Sequence, residues 1–313
     1  MTPPRGRGRG SGRGKAPGAG RSGGPGGAGR GKPSGTGRSG GPGGAGRGKP
    51  SGAGRKAPGG AGGLGGDQVE GRQAVRELLL AGRRRVREVL VADATEHDPV
   101  VADIVALAEG NGVPVRRASR VRIESVAGTQ APQGVVAFAQ PVGETDLDEL
   151  AAASRPFLLV LDGVTDPHNL GALMRTGVAA GATGVVIARH RSAHLSPAAV
   201  KAAAGAVEHL PIATVSGIPA ALSSLRAAGV WTVGLDAEGS QSLWGLEVAT
   251  EGVALVLGAE GAGLSRLVRD RCEVLVRIPM TGPLGSLNVS AAGAVAAFEV
   301  AHRRGQNGEF AQR

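Results

Sequence analysis

The stretch FLLVLDGVTDPHNLGALMRTGVAAGATGVVIA, residues 157–188, carries the pattern from which the fold is read. It opens on a continuous apolar run (157–162) and passes through a turn rich in Asp, Pro and Asn. Apolar residues at helical spacing follow (Leu170, Leu173, Met174, Val178), and a second apolar run, GVVIA (184–188), closes the unit. Strands that are apolar without alternation are buried on both faces, and a helix between two of them is the crossover that a parallel pair requires. Four more such strands lie downstream: LPIATV (210–215), VWTVGL (230–235), VALVL (253–257) and VLVRI (274–278). Helices fall between them, and the last runs from about Val289 to Arg304. The expected fold is α/β, a parallel sheet covered by helices on both sides. Ligands of such sheets bind at the carboxyl ends of the strands, so the loops that follow strands are the candidate sites.

Three of these loops share an unusual composition. In the first (161–184), Asp162 ends the strand, Pro167 restricts the turn, and Asn169 is a candidate helix N-cap. Arg175 lies six residues further along the same, mostly apolar helix, where a buried arginine would need a carboxylate or phosphate partner. The second loop, LVLGAEGAGLS (255–265), spaces its glycines GxxGxG, the reverse of the dinucleotide fingerprint, and lacks the acidic residue expected about 20 positions later. An NAD site is therefore poorly supported, but glycine still permits close backbone approach to a ligand, with Glu260 in the middle of the loop. In the third, RIPMTGPLGSLNVSAAGA (277–294), Ile278, Met280 and Leu287 alternate with glycine and with Ser286, Asn288 and Ser290. Alone, SLNVS could be an N-cap cluster; beside two other Gly-rich strand ends it suits a ligand with an apolar ring and several hydrogen-bonding edges. His168 is either a turn residue or a participant in the chemistry. His190 and His194 fit an i, i+4 pair without a third ligand, so no metal site is expected.

Upstream, residues 67–141 are expected to form a small α/β unit. Its helices span Gly71–Ala81 and Pro99–Glu109, and its strands are VREVLVA (86–92), VPVRR (113–117) and GVVAFA (134–139). Two arginine clusters, Arg83, Arg84, Arg85 and Arg87, then Arg116, Arg117, Arg120 and Arg122, suggest a patch facing nucleic acid, with a merely solvated surface as the alternative. Residues 142–154 form a linker or short helix, the α/β body runs from 155 to 306, and 307–313 are a C-terminal tail.

The formal net charge of the 313 residues is +10, but residues 1–66 alone carry 13 Arg or Lys and no acid. The remainder has 23 basic and 26 acidic groups, a net of −3. The first 66 residues also hold 29 of the 56 glycines and an identical repeat, RSGGPGGAGRGKPSG, at 21–35 and 38–52. Such a segment cannot bury enough apolar surface to offset its ordering entropy and is expected to be a disordered tail. It is either a loose RNA-binding segment or a solubilising leader. The single cysteine, Cys272, excludes an intrachain disulfide and fits a reducing cytoplasm. No apolar run is long enough to span a membrane, and the N-terminus lacks the apolar region of a secretory signal.

NLGALMR (169–175), LGAEGAGLS (257–265) and IPMTGPLGSLNVS (278–290), in this order and each at a strand end, resemble the SpoU (TrmH-type) branch of the SPOUT RNA methyltransferases from residue 155 to about 306. Residues 69–141 resemble the RNA-binding N-terminal domain of the subgroup that modifies large-subunit rRNA, although that subgroup often has a His before QGV where this chain has Pro132 in QAPQGVVA. The resemblance implies a parallel sheet whose C-terminal chain threads a trefoil knot, and methyl transfer from S-adenosylmethionine to a ribose 2′-hydroxyl. It implicates Gly258, Ile278 and Leu287 in cofactor binding and Asn169, Arg175, Glu260 and Asn288 in the active site, with Ser286 a helper. It further implies a homodimer acting on RNA, foremost a guanosine of 23S rRNA, naked or in a large-subunit assembly intermediate, with no DNA partner. An adenosine-specific resistance-type rRNA enzyme, a tRNA enzyme and a non-catalytic assembly factor are the alternatives.

Overall fold

A computed structural model describes residues 64–305, apart from 96 and 284. The expectation of a disordered tail over residues 1–66 lies outside the described residues as far as 63, and that of a C-terminal tail at 307–313 lies wholly outside them. The chain enters the fold at Leu64, which exchanges two backbone hydrogen bonds with Val142, each 2.9 Å.

The first part contains β1 (Gln68–Glu70), α1 (Arg72–Ala81), β2 (Val86–Ala92), α2 (Pro99–Gly110), β3 (Val115–Ala118), α3 (Arg120–Val126) and β4 (Val135–Ala139). Its four-stranded sheet has the order β1-β4-β2-β3, with β2 and β3 parallel and the other pairs antiparallel. The helix starts follow local chemistry. Asp98 caps α2 by accepting from the N–H groups of Val100 and Val101, and Pro99 occupies the first turn, where its missing N–H costs nothing. Residues 142–154, expected as a linker or short helix, contain α4 (Leu147–Ala151), whose Leu150 and Ala151 are buried in the core of the larger sheet.

The second part comprises β5 (Phe157–Leu161), α5 (Pro167–Ala179), β6 (Gly184–Ala188), α6 (Pro197–Ala202), β7 (Ile212–Val215), α7 (Ile218–Ala227), β8 (Trp231–Leu235), β9 (Gln241–Ser242), β10 (Val253–Leu257), α8 (Arg266–Arg269), β11 (Val274–Arg277) and α9 (Val289–Arg304). The seven strands lie in the order β7-β6-β5-β10-β8-β11-β9, and every neighbouring pair is parallel. All six strands read from the sequence are present. The seventh, β9, is two exposed residues with no hydropathy signal. Alternate residues of one strand serve opposite cores. Phe157, Leu159 and Leu161 face the core shared with α5, α6 and α9, while Leu158 and Val160 face that of α4 and α7. Each such side chain stabilises the fold by roughly 1.5–3 kcal/mol relative to exposure.

The sheet runs outward from β5 in one direction through β6 and β7, and in the other through β10, β8 and β11. The strand order therefore reverses between β5 and β10, which opens the crevice where parallel sheets bind ligands. Two close helix contacts bring later elements to that crevice. A Cβ on Gly171 of α5 would come within 2.6 Å of the Ala199 carbonyl of α6, and one on Gly293 of α9 within 2.3 Å of Leu173. Only glycine allows these approaches.

The two parts meet across a buried ion pair. Arg84 Nη1 donates to Glu208 Oε1 at 2.8 Å, with the side chains only 6% and 2% exposed, and Arg84 Nε donates to the Gln140 carbonyl at 2.6 Å. Burial pushes the Glu208 carboxyl above its ordinary range, although Arg84 pulls it down. This corrects the view of Arg83–Arg87 as one surface patch. Arg84 is internal because a carboxylate more than a hundred residues away receives it.

Candidate active site

The first loop positions Asn169 through a cap that the sequence suggested for Asn169 itself. Asp166 is the N-cap of α5, accepting from the His168 N–H at 3.0 Å, and Pro167 begins the helix. Asn169 therefore lies inside the first turn, buried, with its side chain free for other work. Asn169 Nδ2 donates to Glu260 Oε2 at 3.1 Å, and Asn288 Nδ2 donates to Asn169 Oδ1 at 3.2 Å and to Glu260 Oε1 at 3.3 Å. The three residues close a ring across the three loops.

Asn288 holds its place by capping α9. Its Oδ1 accepts from the Ser290 N–H at 2.9 Å and the Ser290 hydroxyl at 2.6 Å. With Oδ1 so engaged, the amide can only turn Nδ2 toward the ring. The residue that caps the helix is thus also a member of the ring. Ser290 is a positioning residue visible in the sequence only as part of that cluster.

Glu260 is carried by a tight glycine loop. Ala259 and Gly263 exchange backbone hydrogen bonds of 2.9 Å, and Gly261 and Gly263 take φ of 76° and 66°, which side chains disfavour. A Cβ on Gly258 would lie 2.1 Å from the Gly263 backbone, so glycine there is demanded by the loop's own return as well as by any ligand. Asp162, at the end of β5, braces the same loop by accepting from the Ser265 N–H at 2.7 Å.

Beside the ring lies a cavity of about 730 Å³ at the carboxyl ends of β8, β10 and β11. Gly258, Ile278, Ser286, Leu287 and Glu260 all line it, so five of the eight expected site residues meet there, Glu260 being also a member of the ring. Leu235 and Val289 add apolar wall, and Asp236, Glu238 and Arg269 form a charged rim that the sequence reading passed over. Arg269 holds both carboxylates, Asp236 at 3.4 Å and Glu238 at 3.1 Å. The signal was available, since Asp236 directly follows β8 at a strand's carboxyl end. Another cavity, of about 870 Å³, lies on the small sheet beside Arg84 and Gln140, away from the ring residues.

Arg175 is the exception. It is exposed and has no hydrogen-bonded or ionic partner among the described residues, which corrects the expectation of a buried arginine in need of a counterion. The apolar face of α5 (Leu170, Leu173, Met174) packs inward, and Arg175 falls on the opposite side. It lies about 9 Å along the helix from Asn169, at about 1.5 Å per residue. Cys272, near the rim, supplies no nucleophile. Burial, with Asp162, Asp236 and Glu273, pushes its thiol up to about 12.

A parallel α/β sheet with a polar ring at its topological switch point and a cavity beside that ring has the layout of a ligand-binding domain. The SpoU rRNA Methylase family matches residues 156–298, and the family described as RNA 2′-O ribose methyltransferase substrate binding matches residues 68–144. The chain is 43% identical over 237 residues to the 23S rRNA (guanosine-2′-O-)-methyltransferase RlmB of Pseudomonas syringae pv. tomato, covering 74% of this chain and 93% of that one. It is 39% identical over 235 residues to RlmB of Escherichia coli K12, covering 74% and 96%. Among solved structures it is similar to the SpoU methyltransferase AviRb from Streptomyces viridochromogenes in complex with AdoMet (TM-score 0.64, 25% identity, 76% of this chain and 90% of that one). It is also similar to an AdoMet-bound rRNA methyltransferase from Sinorhizobium meliloti (TM-score 0.64, 27% identity, 76% and 87%). The chain belongs to the SpoU rRNA methylase family.

Proposed function

We propose that this protein transfers a methyl group from S-adenosylmethionine to the ribose 2′-hydroxyl of a guanosine in 23S rRNA. The observation that carries this reading is the closed ring of Asn169, Glu260 and Asn288, one residue from each family motif, beside a cavity lined by Gly258, Ile278 and Leu287. The cavity suits the cofactor. Its volume lies within the usual range for ligand pockets, its walls mix apolar side chains with glycine backbone, and a few polar groups converge on it. Bound there, S-adenosylmethionine supplies a methyl group on a positively charged sulfur.

The protein's own contribution is position and charge. Gly258, Ile278 and Leu287 hold the cofactor, and Ser286 presents a hydroxyl at the cavity wall. The ring directs the remaining amide hydrogen of Asn169 toward the ribose, and Glu260 orients both amides. Arg175, with a fork of donors that no described residue engages, grips the phosphate next to the target ribose and stabilises the negative charge that develops on the 2′-oxygen as it loses its proton and attacks the methyl carbon. It does not remove the proton, because a guanidinium stays protonated in proteins; that proton leaves to solvent.

The chain between β11 and α9 threads the trefoil knot of the family resemblance, and residues 155–306 act as the methyltransferase domain. Residues 67–141 act as the RNA-binding module, with the exposed Arg116, Arg120 and Arg122 toward RNA, 142–154 as the connection and 1–66 as an accessory basic tail. The protein works in the cytoplasm as a homodimer. Supporting the homodimer, Phe298 of α9 is 51% exposed and Trp244 52%, and the Gly245 N–H beside Trp244 bonds to Glu299 of α9 at 2.9 Å. Exposed apolar groups brought together in this way mark interaction surfaces. Incubation with methyl-labelled S-adenosylmethionine and either 23S rRNA or tRNA tests the reading. Label enters 23S rRNA and not tRNA; no transfer to rRNA overturns it.

A further inference from the structure

The segment RHRSAH, Arg189–His194, directly follows β6 at the same sheet edge as the ring, and neither the ring nor the cavity uses it. Its exposure alternates in blocks. Arg189, His190, Arg191 and His194 are exposed, whereas Ser192, Ala193 and Leu195 are buried. The buried residues fasten the loop. The Ala193 N–H donates to the Val164 carbonyl at 2.7 Å, tying it to the loop that leads into Asn169, and Ser196 caps the helix that follows. That helix, α6, packs at closest range on Gly171, two residues from Asn169.

Arg191 has a φ of 59°, a left-handed conformation that costs free energy for any side chain other than glycine and is less tolerated than for Asn or Asp. The loop is held in that shape by its buried residues, and the shape displays a long cation to solvent. Arg191 has no hydrogen-bonded or ionic partner among the described residues, and Arg189 has only Glu144 at 3.7 Å. A rigid pair of under-neutralised guanidinium groups, in a body whose net charge is −3, is a placed cationic feature and not part of a general basic surface.

We propose that the Arg189–His194 loop is a phosphate-holding rim of the catalytic domain, in which Arg189 and Arg191 contact the RNA backbone flanking the target nucleotide. The proposal rests on the RNA-directed reading of the adjacent site and adds to it the catalytic domain's own contact with the substrate strand. Such contacts position the strand, and each releases bound counterions, so their loss is read in the salt dependence of binding.

The test measures binding of a 23S rRNA fragment across a salt series, together with kcat and KM, for wild type and Arg191→Gly, Arg191→Lys and Arg226→Gln. Glycine suits the left-handed backbone, so Arg191→Gly removes the cation without threatening the fold. Arg226 is an exposed arginine of α7, on the other face of the sheet, and controls for net charge. The expected result for Arg191→Gly is a log–log salt slope shallower by about 0.7–0.9 and a raised KM, with kcat at saturating RNA unchanged. Arg191→Lys retains the wild-type slope, and Arg226→Gln leaves both quantities unaltered. An unchanged slope in Arg191→Gly, or an equal change in Arg226→Gln, overturns the proposal while wild-type methylation stands. Absence of methyl transfer by wild type overturns the functional reading instead, and the slopes still decide the rim.

Discussion

Arg84 and Arg175 belong to two regions that use the same side chain in opposite ways. Arg84 is sealed where the two parts of the fold meet, with Glu208 and the Gln140 carbonyl as partners, and Nη2 is buried without one among the described residues. Arg175 is exposed on α5, and no described residue engages its fork. A buried guanidinium already committed to a carboxylate can hold structure but cannot take up a substrate phosphate without breaking that structure. An exposed, uncommitted one contributes little to the fold and is available to charge that arrives with the substrate. The difference separates a region that joins the two parts of the fold from the region to which we assign the chemistry.

That separation can be broken experimentally, and the largest effect is expected at the interior pair. Glu208→Ala leaves Arg84 charged, buried and uncompensated, and should cost on the order of 3–5 kcal/mol, read as a lower urea midpoint. The paired apolar replacement, Arg84→Met with Glu208→Leu, should recover most of that loss. A small effect of Glu208→Ala would mean that the two sheets do not depend on the pair.

Arg175 should show the reverse signature. Arg175→Ala is expected to lower kcat by about 10²–10³, the range seen when one donor to a developing oxyanion is removed. Its thermal midpoint should be unaltered, since surface changes away from special contacts are usually within about 0.5 kcal/mol. Arg175→Lys keeps the charge without the fork and should remain impaired. Near-normal turnover in that variant would remove the case for bidentate grip.

The smallest effect concerns pH. The folded pKa of Glu208 is raised above its ordinary 4.5, chiefly by burial, so in the window just above 4.5 the folded state holds a proton that the unfolded chain has released. Its contribution therefore favours the fold at low pH and is lost as pH rises through the raised value. Glu208→Gln should flatten this part of the stability–pH profile, measured by urea unfolding across it. A profile unchanged by the substitution would assign the slope to other carboxyls.

The parallel sheet was legible because its strands are continuously apolar, and the last helix was read to its ends, Val289 and Arg304. The short elements β1 and α3 were not: three residues of Gln-Val-Glu and a helix with Arg120, Arg122 and Glu124 carry too little apolar pattern. At the site, the three loops were recognisable from glycine and amide content at strand ends, and the structure joins Asn169, Glu260 and Asn288 by hydrogen bonds. What sequence spacing could not supply was the environment of each arginine. Burial of Arg84 depends on Glu208 and exposure of Arg175 on which face of α5 meets the sheet, and both are settled by contacts between distant segments.

The central claim, that this site methylates one ribose hydroxyl of 23S rRNA, is tested most directly by alkaline cleavage of treated rRNA. A 2′-O-methyl group blocks the hydroxyl that attacks the neighbouring phosphodiester, so a single alkali-resistant linkage should appear, 3′ to a guanosine. It should be absent when Arg175→Ala replaces the wild type for the same short reaction. Resistance at an adenosine, at many positions, or at none would contradict the account.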